Sequence, residues 1–223
     1  MARRYVIIVA GGMGVRMFGN VPKQFLMLGD KPILLHTLRR WMEFDPDIPI
    51  ILVLPQTHHA TWTEIAKQFD VQANISVVYG GSERFYSVKN ALQHIPDDVL
   101  VAVHDAVRPF VSVETIASSF TWAEKHGSAV PYTIPHESVR MEKDDGNNFP
   151  LNRNMLRNIQ TPQTFLSNKL KQAYQQPFHS DFTDDASVWE KTGETLFLFE
   201  GNRENIKITT EWDLKVAGCL MEN

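Results

Sequence analysis

The chain has 223 residues, of which 43% are hydrophobic, enough to bury a sizeable core in one large α/β domain; this argues against disorder along its length. A formal net charge of −4 excludes the broad basic face that nucleic-acid binding needs for counterion displacement, so any phosphate site must be local. The single cysteine, Cys219, allows neither an intramolecular disulfide nor a cysteine cluster for zinc, and fits a reducing, cytoplasmic setting.

In chain order, Met1-Ala2-Arg3-Arg4 leads into an apolar run at 5–10, too short for a signal-peptide core or a membrane span; a soluble protein without a membrane partner is expected. Further apolar runs at 49–54, 75–79 and 99–103 are of strand length and rich in Val and Ile, as buried parallel strands are. Between and after them, amphipathic stretches at 33–44, 58–69, 83–95 and 113–125 read as helices. This alternation predicts an α/β fold with a doubly wound, mostly parallel sheet. Ligands of such sheets bind beyond the carboxyl ends of the strands, so residues 10–14, 80–82 and 104–108 should converge on one crevice. After the run at 129–134 the pattern breaks. Residues 136–158 are polar and carry Asp144-Asp145-Gly146-Asn147-Asn148; they read as a protruding β-arm turning near Gly146, or as a solvated loop. Helices at 167–175 and 183–191, a strand at 195–200 and a closing helix at 211–221 complete one domain over 1–223.

The first strand ends in Ala10-Gly11-Gly12-Met13-Gly14-Val15-Arg16-Met17. Glycines there let backbone N–H groups approach a ligand, so the turn can cradle phosphates, although a structural tight turn has the same composition. Met17 stands where a dinucleotide fingerprint needs its third glycine, and no Gly-Lys-Ser/Thr follows as in a P-loop. A dinucleotide-dependent oxidoreductase is thereby disfavoured. Arg16 within the loop, and Lys23 after the helix-breaking Gly19, Asn20 and Pro22, supply two cations suited to a triphosphate. On its own, Lys23 also reads as a surface lysine. Asp105 closes a strand, where a carboxylate reaches a metal or a ribose hydroxyl, or caps a turn. Gly80-Gly81-Ser82-Glu83-Arg84 joins a strand to a helix, leaving N–H groups available to a ligand unless Ser82 or Glu83 caps them. His36, His58 and His59 lack metal-ligand spacing, and His104 reads as a packing or orienting partner of Asp105. Asp184-Asp185 resembles a metal pair, but after Thr183 it reads better as the start of a helix.

The loop, followed by Pro22-Lys23-Gln24-Phe25-Leu26, resembles the signature of nucleotidyltransferases acting on sugar and polyol phosphates. Within that superfamily the chain is most similar to the 2-C-methyl-D-erythritol 4-phosphate cytidylyltransferases of non-mevalonate isoprenoid biosynthesis. The likeness continues through His104-Asp105-Ala106-Val107-Arg108-Pro109, Gln160-Thr161-Pro162-Gln163-Thr164-Phe165, Thr183-Asp184-Asp185-Ala186-Ser187 and Asn205-Ile206-Lys207-Ile208-Thr209. The resemblance implies a Rossmann-like nucleotidyltransferase that joins CTP to a polyol phosphate with Mg²⁺ or another divalent cation. It assigns catalysis to Arg16, Lys23 and Lys207, and nucleotide binding to Ala10, Gly11, Gly12, Gly14, Gly81, Ser82, Ser87 and Asp105. It gives the acceptor to Asp105, Ala106, Arg108, Ser138, Arg153, Thr161 and Lys207, and the metal to Asp105. A homodimer formed through the 136–158 arm is also implied. Ribitol-5-phosphate cytidylyltransferases share nearly the same loop and the Thr-Pro-Gln-Thr-Phe run and are the nearest alternative; a non-catalytic nucleotide sensor on the same fold is another. Retention of Arg16, Lys23, Asp105 and Lys207 counts against the sensor.

Overall fold

The computed structural model describes residues 2–10, 21–71 and 74–221. In chain order the strands and helices begin with β1 (Arg4–Val9), the short hairpin β2 (Met27–Leu28) and β3 (Lys31–Pro32), α1 (Ile33–Phe44), β4 (Ile50–Leu54) and α2 (His59–Gln68). There follow β5 (Ile75–Tyr79), α3 (Arg84–Leu92), β6 (Leu100–Asp105), α4 (Val113–His126) and β7 (Ser128–Thr133). The remainder comprises β8 (Val139–Glu142), β9 (Asn148–Leu151), β10 (Asn158–Ile159), β11 (Gln163–Leu166), α5 (Ser167–Ala173), α6 (Asp185–Glu190), β12 (Leu198–Glu200) and α7 (Glu211–Met221).

Among the described residues the central sheet runs β10-β7-β11-β6-β1-β4-β5, with β12 added to β7. The pairs β1–β4, β1–β6 and β4–β5 are parallel. Both faces of the sheet are covered, which is why β4, residues 5–9 of β1 and residues 100–103 of β6 are continuous apolar runs. Alternate side chains sort to opposite sides. Val6 and Ile8 pack with Leu38, Trp41 and Phe120 under α1 and α4, whereas Ile7 and Val9 pack with Phe85, Val88 and Trp189 under α3 and α6. A smaller cluster of Leu28, Ile33, Val107, Phe110, Ile208 and Ala217 ties α7 to the β2–β3 hairpin.

The predicted strands and helices before residue 134 form, with two differences. The 75–79 strand is not buried: among the described residues it is the sheet edge, paired on one side only by β4, and Val77 and Tyr79 are exposed. The helix expected to run to residue 95 ends at Leu92. The two-residue strands β2, β3 and β10 were not expected, nor was the longer β11. β11, with Gln163 and Thr164 buried, inserts antiparallel between β6 and β7. The polar arm does form a hairpin, β8 pairing β9 from Val139↔Leu151 to Glu142↔Asn148. Its turn uses Gly146 at φ +80°, a left-handed conformation that glycine adopts without Cβ strain.

Candidate active site

Asp105 is the last residue of β6, paired in register with Val9 at the end of β1, so the two central strands deliver their carboxyl ends to one place. Its side chain is buried and surrounded by cations. Lys207 Nζ lies 3.1 Å and Arg108 Nε 3.3 Å from Oδ2, and Arg84 Nε stands 3.8 Å from Oδ1. Burial works against the carboxylate, but the charges of Arg84, Lys207 and Arg108 outweigh it and hold the group well below the usual carboxylate range. Asp105 is therefore an anion at any physiological pH, and three cations are concentrated within reach of a phosphate.

The support behind Asp105 is a chain of hydrogen bonds with little freedom. Burial pushes His104 down to about 4, so its ring is neutral. Nε2 lies 3.2 Å from the Arg108 carbonyl, which can only accept; Nε2 must carry the proton, and Nδ1 then accepts from the Thr161 hydroxyl 3.0 Å away. That hydroxyl in turn accepts from the Asp105 N–H at 3.1 Å. Thr161 lines the crevice, yet its Oγ1 is already engaged on both sides within the protein. Asn205 completes the frame. Its Nδ2 donates to the Thr161 carbonyl at 2.8 Å, and its own carbonyl accepts from Arg108 Nη1 at 2.8 Å, which places Lys207 two residues on.

Two cavities adjoin this hub. One of about 90 Å³ is bounded by Ala10, Lys23 and Ala106; the other, of about 190 Å³, by Arg108, Thr161 and Gln163; Arg84, Asp105 and Lys207 belong to both. In the first, Lys23 opens a 3₁₀ turn over Lys23–Phe25. Partial burial, and then the neighbouring charge of Lys207, lower its pKa against an opposing pull from Asp105, which leaves an ammonium short of anionic partners. Gln24 is buried behind it and donates to the Ala10 carbonyl at 3.1 Å. Arg16 and the glycines Gly11, Gly12 and Gly14 lie outside the described residues. A larger hollow of about 790 Å³ shares no lining residue with these two and carries Glu43, Glu114 and Glu204, a poor surface for phosphate.

At the β5–α3 turn, a Cβ on Gly81 would stand 2.3 Å from Tyr86 Cβ, so the turn can close only with glycine. The Gly81 N–H donates to Ser87 Oγ at 3.1 Å, and Ser87 is fully buried, supporting the turn from beneath. Ser82 is exposed. Glu83 is the N-cap residue of α3 but makes no side-chain cap, so capping is not what occupies this turn. Ser138 and Arg153 are exposed at the root of the arm, where Arg153 Nη1 donates to the His136 carbonyl; neither lines the cavities beside Asp105. The reading of Asp184-Asp185 as a helix start holds: Asp184 caps α6 through a capping box with Ser187.

Arg84 received no role from the sequence. It sits in the first turn of α3, where a cation opposes the helix dipole, and that misfit was the available signal that it answers to acids elsewhere. Gln163 was missed likewise; it donates to Asp184 Oδ2 and accepts from the Ala186 N–H, each at 2.8 Å, fixing α6 beside the crevice.

The doubly wound, mostly parallel sheet, with a cation-lined crevice at its carboxyl edge, is that of an α/β nucleotidyltransferase. The model of the 2-C-methyl-D-erythritol 4-phosphate cytidylyltransferase family matches residues 5–223. The enzyme of that name from Porphyromonas gingivalis is 49% identical over 221 residues, covering 98% of each chain, and that from Bacteroides thetaiotaomicron is 45% identical over 98% of this chain and all of its own. Among solved structures, the 4-diphosphocytidyl-2C-methyl-D-erythritol synthase of Anaerococcus prevotii superposes with a TM-score of 0.86 at 28% identity, over 100% of this chain and 97% of that one. The chain belongs to the 2-C-methyl-D-erythritol 4-phosphate cytidylyltransferase family.

Proposed function

We propose that this protein transfers a cytidylyl group from CTP to 2-C-methyl-D-erythritol 4-phosphate, releasing pyrophosphate and forming 4-diphosphocytidyl-2-C-methyl-D-erythritol for non-mevalonate isoprenoid synthesis. The observation that carries this reading is the pair of cavities sharing Arg84, Asp105 and Lys207: two phosphate-bearing substrates can meet at one cationic wall. A phosphate oxygen of the acceptor forms the new bond to the α-phosphorus, and the bond from that phosphorus to the pyrophosphate oxygen breaks. The acceptor phosphate has a second pKa of about 6 and is mostly dianionic near neutral pH, so no general base is needed. What the chain must supply is positive charge where negative charge grows.

Lys23, with Arg16 of the glycine loop, is placed in this reading on the triphosphate; Lys207 and Arg108 take the acceptor phosphate. The lowered pKa of Lys23 supports its part, since an incoming phosphate would restore the missing anionic partner. Asp105 Oδ1 receives no hydrogen bond from the described residues, and these residues contain no cluster of three acidic, histidine or cysteine side chains for a resident metal. That donor set suits a Mg²⁺ ion held mainly by substrate phosphates with Asp105 as the protein carboxylate. When bound, the ion would neutralise phosphate charge.

The arm at 136–158 is the proposed dimer contact, because Met141 and Phe149 on its hairpin are exposed and a two-stranded hairpin is marginal alone. No helix among the described residues is long and apolar enough to cross a membrane, and the single cysteine supports a cytoplasmic location. The test is pyrophosphate release by the purified protein with CTP and Mg²⁺, with methylerythritol phosphate and ribitol phosphate offered separately. Release with the first is expected; release with ribitol phosphate alone overturns the assignment.

A further inference from the structure

Asp185 lies in the first turn of α6, fully buried and 101 residues from its partner Arg84. Arg84 Nη2 donates to Asp185 Oδ2 at 2.6 Å, and the Tyr174 hydroxyl donates to Oδ1 at 2.6 Å. Burial, reinforced by the charge of Asp185, raises the Tyr174 phenol well above its ordinary range and keeps it a donor. Both carboxylate oxygens are thus committed, as a buried charge requires. Toward the crevice the same guanidinium is held at 3.8 Å from Asp105 Oδ1, a distance that leaves the electrostatic pull but exceeds a hydrogen bond. Arg108 and Lys207 crowd the other oxygen, Oδ2. Arg84 therefore chooses between two carboxylates, and the one outside the crevice holds it.

We propose that Asp185 is a positioning residue for nucleotidyl transfer: by holding Arg84 through a full hydrogen bond, it keeps Asp105 Oδ1 open to substrate while leaving the Arg84 charge in the wall between the two cavities. The inference rests on the cytidylyl-transfer reading above. Without the Asp185 charge, Arg84 closes the remaining distance to Oδ1 and competes with whatever ligand group that oxygen serves. The penalty falls on binding.

Asp185→Asn tests this, with initial rates measured against CTP and acceptor separately. With the charge-assisted hydrogen bond to Arg84 lost, KM for at least one substrate should rise roughly tenfold or more while kcat changes less than about threefold. In an Arg84→Gln background the same substitution should leave KM within about twofold, since there is no guanidinium left to release. Tyr174→Phe removes the other donor to Asp185 without freeing Arg84; it should lower the melting temperature and leave KM in place. A KM unmoved by Asp185→Asn, a loss confined to kcat that tracks the folded fraction, or an equal KM rise in the Arg84→Gln background overturns the proposal. Absence of pyrophosphate release by the unsubstituted protein would instead remove the transfer reading itself, so the two failures are distinguishable.

Discussion

The crevice around Asp105 and the arm carry their assigned residues by opposite means. At Asp105, the cationic side chains of Arg84, Arg108 and Lys207 converge on one buried carboxylate while Thr161 holds its backbone N–H, and Arg84, Arg108 and Thr161 are themselves held by further bonds to Asp185, Asn205 and His104. On the arm, Ser138 and Arg153 are exposed, and the hairpin ladder pairs with itself. Preorganisation is thus built around a buried charge at the crevice, whereas at the arm it rests on an exposed ladder and the Arg153–His136 hydrogen bond.

Substitutions from the crevice outward test this contrast. Lys23→Ala should reduce turnover by roughly 100- to 1,000-fold with little change in fold, as expected for a lost transition-state donor; a loss under tenfold in steady-state kinetics would mean that Lys23 is not at the triphosphate. His104 should make stability fall with acid. Its folded pKa of about 4 lies below the usual 6.5, so the unfolded chain takes up the proton first; the stabilisation is intact above pH 6.5 and is lost as pH falls through about 4, amounting to about 3 kcal/mol in all. Denaturant unfolding at pH 7 and pH 4.5, compared with His104→Gln, isolates this contribution: the variant should show a visibly shallower pH dependence. Gly81→Ala forces a Cβ to within 2.3 Å of Tyr86 and should cost about 1–3 kcal/mol, read as a lowered melting temperature with weakened CTP binding. Phe149→Ser on the arm should move protomer stability by less than about 0.5 kcal/mol, yet shift the sedimentation coefficient from dimer to monomer. A large stability loss in that monomer would show that the arm packs within its own chain.

Regular alternation made most of the sheet legible, because parallel strands covered on both faces are apolar along their buried length, and residues 50–54 and 100–103 are. β11 escaped notice for the converse reason: Gln163 and Thr164 are polar, and their burial is satisfied by Asp184, Ala186 and Ser119, contacts up to 45 residues away that no local pattern records. The candidate site divides in the same way. Lys23, Asp105 and Lys207 stand in short motifs that carry the family resemblance and take their roles from it, whereas Arg84 acquires meaning only beside Asp185, and Asn205 only beside Arg108 and Thr161. Arm residues such as Gly146 were legible because a left-handed turn has a local signature.

The long reach of these contacts also orders events in time. From Asp105 to Lys207 the chain runs 102 residues, which a ribosome adds in about 5–20 s. Over that interval Asp105 has Arg84 and Arg108 but gains Thr161 and Asp185 only after about half and four-fifths of it, and Lys207 at its end. The wall shared by the two cavities is therefore complete only once Lys207 has been added.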